Sequence, residues 1–153
     1  MNVFDVAKYI LEKTGPITAW KLQKLVYYSQ AWSLAWDDRA LFEDDFEAWA
    51  NGPVVRALFN AHKGCLYVDA STFRRGDPGR LDDTARETID IVIRDYGKFS
   101  GRELSEIAHS ERPWKEARKG VPAGEPSENV IERDIMSDFY LGLLPCTTNS
   151  RDS

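Results

Sequence analysis

The sequence predicts a mainly α fold: a compact single-domain helical bundle around a buried central helix, with at most short β segments. Three observations predict it. Apolar residues recur at helical spacing in segment after segment, with short turns between them. The stretch LVYYSQAWSLAW, Leu25 to Trp36, carries no charge and is apolar on both sides of a helical wheel, as a helix with neighbours on both sides must be. The chain has 153 residues, 42% hydrophobic and 29% charged, which suits one domain with a real core.

The first helix is expected over Val3 to about Lys13. Asn2 is its N-cap, Val3, Val6, Ala7, Ile10 and Leu11 form its stripe, and Gly15-Pro16 stops it. Thr18 caps the second helix, which runs to about Trp36. Leu22, Leu25, Val26, Trp32 and Trp36 share one side of it, and Tyr27, Ala31 and Leu34 the other. Most of its tryptophans, Trp20, Trp32 and Trp36, are expected in the core, with Gln23, Ser29 and Gln30 to satisfy buried polar tips. Asp37 to Arg39 is a turn, and Phe46 to Trp49 is expected to be extended. Asn51-Gly52-Pro53 breaks the chain, and Pro53 suits the first position of a third helix ending near His62. Cys65 to Arg80 reads as irregular, with a short strand near Tyr67. Asp82 caps a helix with the stripe Ala85, Ile89, Val92, Ile93 and Tyr96. Ser100 to Glu103 is a capping box opening a helix with Leu104, Ile107 and Ala108. A short helix, Pro113 to Lys119, a Gly/Pro loop and an extended Val130-Ile131 follow. The last helix, Glu132 to Leu143, presents Ile135, Met136, Phe139, Tyr140 and Leu143. The domain is thus expected over residues 1–144, with a polar disordered tail at 145–153.

Chemistry finds little support in the sequence. His62 and His109 lack a second ligand at metal-binding spacing, so no metal is expected. No nucleophile elbow, phosphate loop or dinucleotide fingerprint is present, so neither catalytic residues nor a cofactor is expected. Cys65 and Cys146 read as isolated thiols rather than a disulfide framework. The net charge of −5 disfavours duplex binding. With neither a signal peptide nor a membrane span expected, the chain is placed in the cytoplasm. The acids Glu43, Asp44 and Asp45 read as a solvated turn. His109-Ser-Glu-Arg-Pro-Trp114 reads as a hinge between helices, with a partner contact as its alternative. Arg112, Lys115, Arg118 and Lys119, near one side of the short helix, are the best local anion patch, although four charges on one helix are common on solvent faces.

Lys21 to Trp36 (KLQKLVYYSQAWSLAW), Ala40 to Val54 (ALFEDDFEAWANGPV) and Phe99 to Gly120 (FSGRELSEIAHSERPWKEARKG), in that order, resemble the Panacea domain family, which includes SocA-like antitoxins and phage-associated GepA-like proteins. The resemblance covers about Asp5 to Leu143. It implies an antitoxin that neutralises a cognate protein toxin by direct contact. Members of the family often carry an extra domain, and this chain reads as the core without an obvious separate DNA-binding module. No membrane partner and no enzymatic activity are expected, and a nucleic-acid partner is disfavoured. The alternative the resemblance implies is a proteolytic adaptor that delivers a bound toxin to a cytoplasmic protease. The expected contact face combines Lys21, Lys24 and Tyr28 at the start of the second helix with Trp49, Gly52, Pro53 and Val54. Gly52 and Pro53 would fix the backbone there, and the lysines, tyrosine and tryptophan would make the contact. Core packing remains the competing reading for Trp49.

Overall fold

Asn2 starts the first helix as its position predicts. In the computed structural model, which describes residues 1–143, α1 spans Val3–Thr14. The Asn2 side chain accepts from the amides of Phe4 and Asp5, and Asp5 accepts from the Asn2 amide at 2.8 Å. These bonds satisfy donors that a helix start leaves orphaned. Gly15, at φ +74°, turns the chain out of the helix.

A short strand, β1 (Ile17–Thr18), leads into α2 (Ala19–Asp37), where Thr18 Oγ1 accepts from the Lys21 amide at 3.2 Å. Every residue from Leu22 to Ala35 is buried. A helix surrounded in this way must satisfy its own polar side chains internally. Gln30 does so against one loop, donating to the Phe42 carbonyl at 3.0 Å and accepting from the Leu41 amide at 2.7 Å. Gln23 does the same further along, accepting from the Val55 amide at 3.0 Å and lying 3.0 Å from His62 Nε2. Ser33 donates to the Arg39 carbonyl. The polar positions of α2 thus fasten the connection between α2 and the next helix.

That connection contains β2 (Glu47–Trp49) and β3 (Gly52–Val54), an antiparallel hairpin pairing Glu47 with Val54 and Trp49 with Gly52. Pro53 is therefore in a strand, and α3 begins later, at Arg56–His62. The expectation of Pro53 as first helical residue is corrected for a physical reason. Its strand partner Ala48 donates its amide to the Asn129 carbonyl, away from β3, so nothing on β2 needs the N–H that proline lacks. β4 (Tyr67–Val68) pairs antiparallel with β1, and two 3₁₀ turns, Ala70–Thr72 and Pro78–Arg80, pack on α1.

The remaining helices follow the predicted caps. α4 (Asp83–Tyr96) is capped by Asp82, and α5 (Gly101–His109) by Ser100 with Glu103 in a capping box. Then come α6 (Arg112–Ala117) and α7 (Arg133–Gly142). Between these two, Val130 bridges Glu47, and Ile131 donates its amide to the Phe46 carbonyl at 2.8 Å. α2 packs against α1, α4, α5 and α7 at once, so the mainly α bundle around a central helix is what forms. Leu143, expected on the inward stripe of α7, is half exposed because the helix ends at Gly142. Trp36, next to the α2 terminus, is 37% exposed rather than core. Residues 145–153, assigned to a polar tail, and Cys146 within them lie outside the described residues. Among the described residues no helix is long and apolar enough to cross a membrane.

Candidate functional site

The expected contact residues divide by depth. Lys24 and Tyr28 are at 0% exposure. A direct-contact role for either does not fit that burial, because α2 presents this side to the hairpin and to α6–α7 rather than to solvent. Val54 is at 0% as well, and Gly52 and Pro53 are buried. Lys21 is half-buried, and its Nζ donates to the Gly97 carbonyl at 2.6 Å, joining α2 to the end of α4. Of the seven, Trp49 is the aromatic residue left half-exposed.

Lys24 explains the hairpin's glycine. Its Nζ donates to the Pro53 carbonyl at 3.2 Å and stands 5.1 Å from the centre of the Trp20 ring. A Cβ on Gly52, where φ is +121°, would meet Lys24 Cε at 2.5 Å. Only glycine combines that backbone conformation with so close an approach. With no carboxylate against Lys24 among the described residues, burial pulls its ammonium down to about 7. Burial also depresses His62, with Lys24 adding to the effect.

The HSERPW segment fastens the hairpin from the other side. His109 stacks on Trp114 with ring centres 4.0 Å apart, and Trp114 Nε1 donates to the Trp49 carbonyl at 2.9 Å. Arg118 is 4% exposed and donates to the carbonyls of Ala48, Pro122 and Glu125 while lying over the Trp114 ring. This burial removes Arg118 from the basic helix side considered in the sequence. Arg112 pairs with Glu116 and Asp138. Glu111 points inward and accepts from Tyr28 at 2.8 Å and Tyr140 at 2.6 Å. Burial raises its carboxyl above the usual range, against the opposing pull of these two hydroxyls.

What this framework holds outward is aromatic. Trp20, Trp49 and Phe59 are half-buried. Trp49 and Phe59 lie 4.9 Å apart, centre to centre, and Trp20 lies 6.5 Å from Trp49 and 6.3 Å from Phe59. Trp20 and Trp49 wall a cleft of about 300 Å³ that Asn51, Arg56 and Glu128 help to line. Arg56 stands over Trp49 and pairs with Glu47 at 2.9 Å and Glu128 at 3.0 Å. Burial pushes the Glu47 carboxyl up, but hydrogen bonds from Arg56 and Trp49 outweigh it and hold it low. Trp20 also borders the depression lined by Phe59, Lys63, Cys65 and Leu66, beside which Leu66 and Tyr67 are 69% and 64% exposed. Sequence reasoning reached Trp49 and missed Trp20 and Phe59. The available signal was Trp20 four residues before Lys24, an aromatic–cation pair on one helix face.

Residues 22–115 match the family described as "Antitoxin SocA-like, Panacea domain". The chain belongs to the SocA-like Panacea family. A relative, "Antitoxin SocA" of Caulobacter vibrioides (strain NA1000 / CB15N), is 30% identical over 142 residues, covering 82% of this chain and 72% of the relative. No solved structure matches. The matched region of this Panacea domain runs from α2 into α6, and so contains the hairpin, Lys24, Trp49, Phe59 and Trp114. Trp20 lies just before it and Arg118 just after. In this Panacea domain the family stretch is thus largely the frame of the aromatic face.

Proposed function

We propose that this Panacea domain is the antitoxin of a toxin–antitoxin pair and neutralises a cognate protein toxin by direct binding through the Trp20–Trp49–Phe59 face. The observation that carries the proposal is the half-exposed aromatic trio from α2, β2 and α3, built around a hairpin fastened from α2 by Lys24 and Gln23 and from the α6 end by Trp114 and Arg118. Aromatic side chains held rigid at a surface are favoured as binding anchors, because little conformational entropy remains to be lost on association. Trp49 makes the contact, Gly52, Pro53 and Val54 set the turn, and Lys24 and Tyr28 act from within. Lys24, Glu47, Arg56 and Arg118, which surround the hairpin, are occupied with structural bonds, which fits a binder better than a catalyst.

The test is co-expression with the toxin encoded by the neighbouring gene. Wild type should restore growth and co-purify with the toxin in fixed stoichiometry. Trp49→Ala should lose both while keeping its melting temperature within a few degrees. Full rescue by Trp49→Ala would remove this face from the proposal. The toxin's half-life in the same cells separates mechanisms: masking leaves it unchanged or longer, whereas a shortened half-life would replace masking with delivery to a protease.

A further inference from the structure

The loop Arg74-Arg75-Gly76-Asp77 lies away from the aromatic face and has its own architecture. Gly76 sits at φ +103°, and a Cβ there would meet the Phe4 carbonyl oxygen at 2.5 Å. Next to it, the Asp77 amide donates to the buried Asp5 carboxylate at 2.7 Å. The loop is thereby clamped onto the first turn of α1. This clamp places the Arg75 guanidinium 4.5 Å from the centre of the Phe4 ring. Phe4 and Phe73, with ring centres 6.0 Å apart and only 3% and 2% exposed, lie beneath a cleft of about 290 Å³ whose accessible walls are Ala61, Thr72, Arg74 and Arg75.

The arginines of this cleft differ from most of the other described arginines of the molecule. Among the described residues, every exposed or half-buried arginine outside residues 74–80 is in an ion pair with a carboxylate. The buried Arg118 is satisfied by three carbonyls. Arg74, Arg75 and Arg80 are all exposed, and no described carboxylate pairs with them. Two exposed guanidinium groups with no carboxylate partner among the described residues present the fork that carboxylates fit.

We infer that the Arg74–Arg75 cleft above Phe4 and Phe73 is a second docking site, taking an acidic segment of a partner protein, with a carboxylate on the arginines and an aromatic or aliphatic side chain against Ala61 and the arginine stems. The net charge of −5 opposes a long polyanion and so favours this occupant over nucleic acid. α3 separates the site from the aromatic face. Phe59 borders one cleft and Ala61 the other, and two helical steps place them about 200° apart around the axis. A partner here therefore leaves the Trp20–Trp49 face open.

The experiment titrates the full ¹⁵N-labelled chain with a synthetic peptide of alternating phenylalanine and glutamate. Inorganic phosphate, a single-stranded oligodeoxynucleotide and a peptide of alternating phenylalanine and glutamine serve as separate arms. The acidic peptide should shift the amides of Phe4, Ala61, Thr72 and Phe73 saturably, and Arg74→Glu should weaken it about tenfold or more. Arg75→Lys, which keeps the charge but loses the planar fork, should weaken it less. Both variants should keep the wild-type melting temperature and still neutralise the toxin, which separates failure here from failure of the aromatic face. The inference is overturned if no saturable shift appears at millimolar peptide, if the glutamine peptide or phosphate binds equally well, or if the oligonucleotide binds more tightly.

Discussion

A single buried ammonium sets the most testable electrostatic property of this protein. Lys24 has one hydrogen bond, to the Pro53 carbonyl, and no carboxylate among the described residues to offset its desolvation. Its folded value of about 7 lies below the unfolded lysine value of about 10.4. Between those two the unfolded chain holds the proton and the folded chain does not, so stability rises with pH across that window, at up to about 1.4 kcal/mol per pH unit. Below the window both states are protonated and the folded state carries the full cost of the buried charge. Lys24→Met should therefore flatten the rise and leave the protein at pH 6 as stable as wild type or more so, as happens when buried charges give way to apolar groups of similar size. Urea denaturation of both proteins at pH 6, 7.5 and 9 measures this, and parallel pH profiles would contradict it. Glu111 makes the complementary case. Its carboxyl accepts from both Tyr28 and Tyr140, so Glu111→Ala strands the buried Tyr28 hydroxyl and leaves Tyr140 its bond to Tyr27. It should cost about 1–3 kcal/mol in the same denaturation, the range for one unsatisfied buried group. Loss of under 1 kcal/mol would mean that the Tyr28 hydroxyl finds another partner.

At the scale of elements, the β2–β3 hairpin depends on a steric match between two residues 28 positions apart in sequence. Gly52→Ala forces a Cβ against Lys24 Cε and strains a φ of +121°, and should destabilise by about 2 kcal/mol or more. In a Lys24→Ala background the clash disappears while the φ strain remains. The cost of Gly52→Ala should then fall by about 1 kcal/mol, a coupling that a double-mutant cycle resolves. Equal costs in both backgrounds would show that the backbone alone selects glycine. This dependence also explains what could be read from the sequence. Caps at Asn2, Thr18, Asp82 and Ser100 are bonds across two or three residues, and α2's two apolar sides are a matter of periodicity, so both were legible. Pro53 was misassigned because a helix start and a non-hydrogen-bonded strand position both dispense with its N–H. What decides between them is Ala48's bond to Asn129, contributed by a distant loop. Lys24 and Tyr28 looked like surface residues because their partners, the Pro53 carbonyl and Glu111, become neighbours only after folding. Trp20 and Phe59 escaped notice for the same reason: their cleft is assembled from α2, β2 and α3.

For the molecule as a whole, the frame and the face should fail in different ways. Trp49 reaches solvent, whereas Gly52, Trp114's bond to the Trp49 carbonyl and Arg118's three carbonyl bonds lie behind it. A frame substitution changes the free energy of holding the hairpin, and its effect on toxin binding passes through the population of folded chain. A marginally stable domain amplifies this, since about 1.4 kcal/mol changes the folded-to-unfolded ratio tenfold. A face substitution removes contact area and changes that population less. Arg118→Met, which strands the carbonyl of buried Ala48, and Gly52→Ala should both lower the melting temperature and weaken toxin neutralisation at the upper end of the growth range. Both should regain it when cells are grown cooler, where more of the chain is folded. Trp49→Ala and Phe59→Ser should keep their melting temperatures closer to wild type and fail at every temperature. Plotting rescue against the folded fraction at each temperature should place the frame variants on one curve with wild type and the face variants below it. A single curve containing all four would mean that the aromatic face contributes to neutralisation only through stability, and the docking surface would have to be sought elsewhere on the domain.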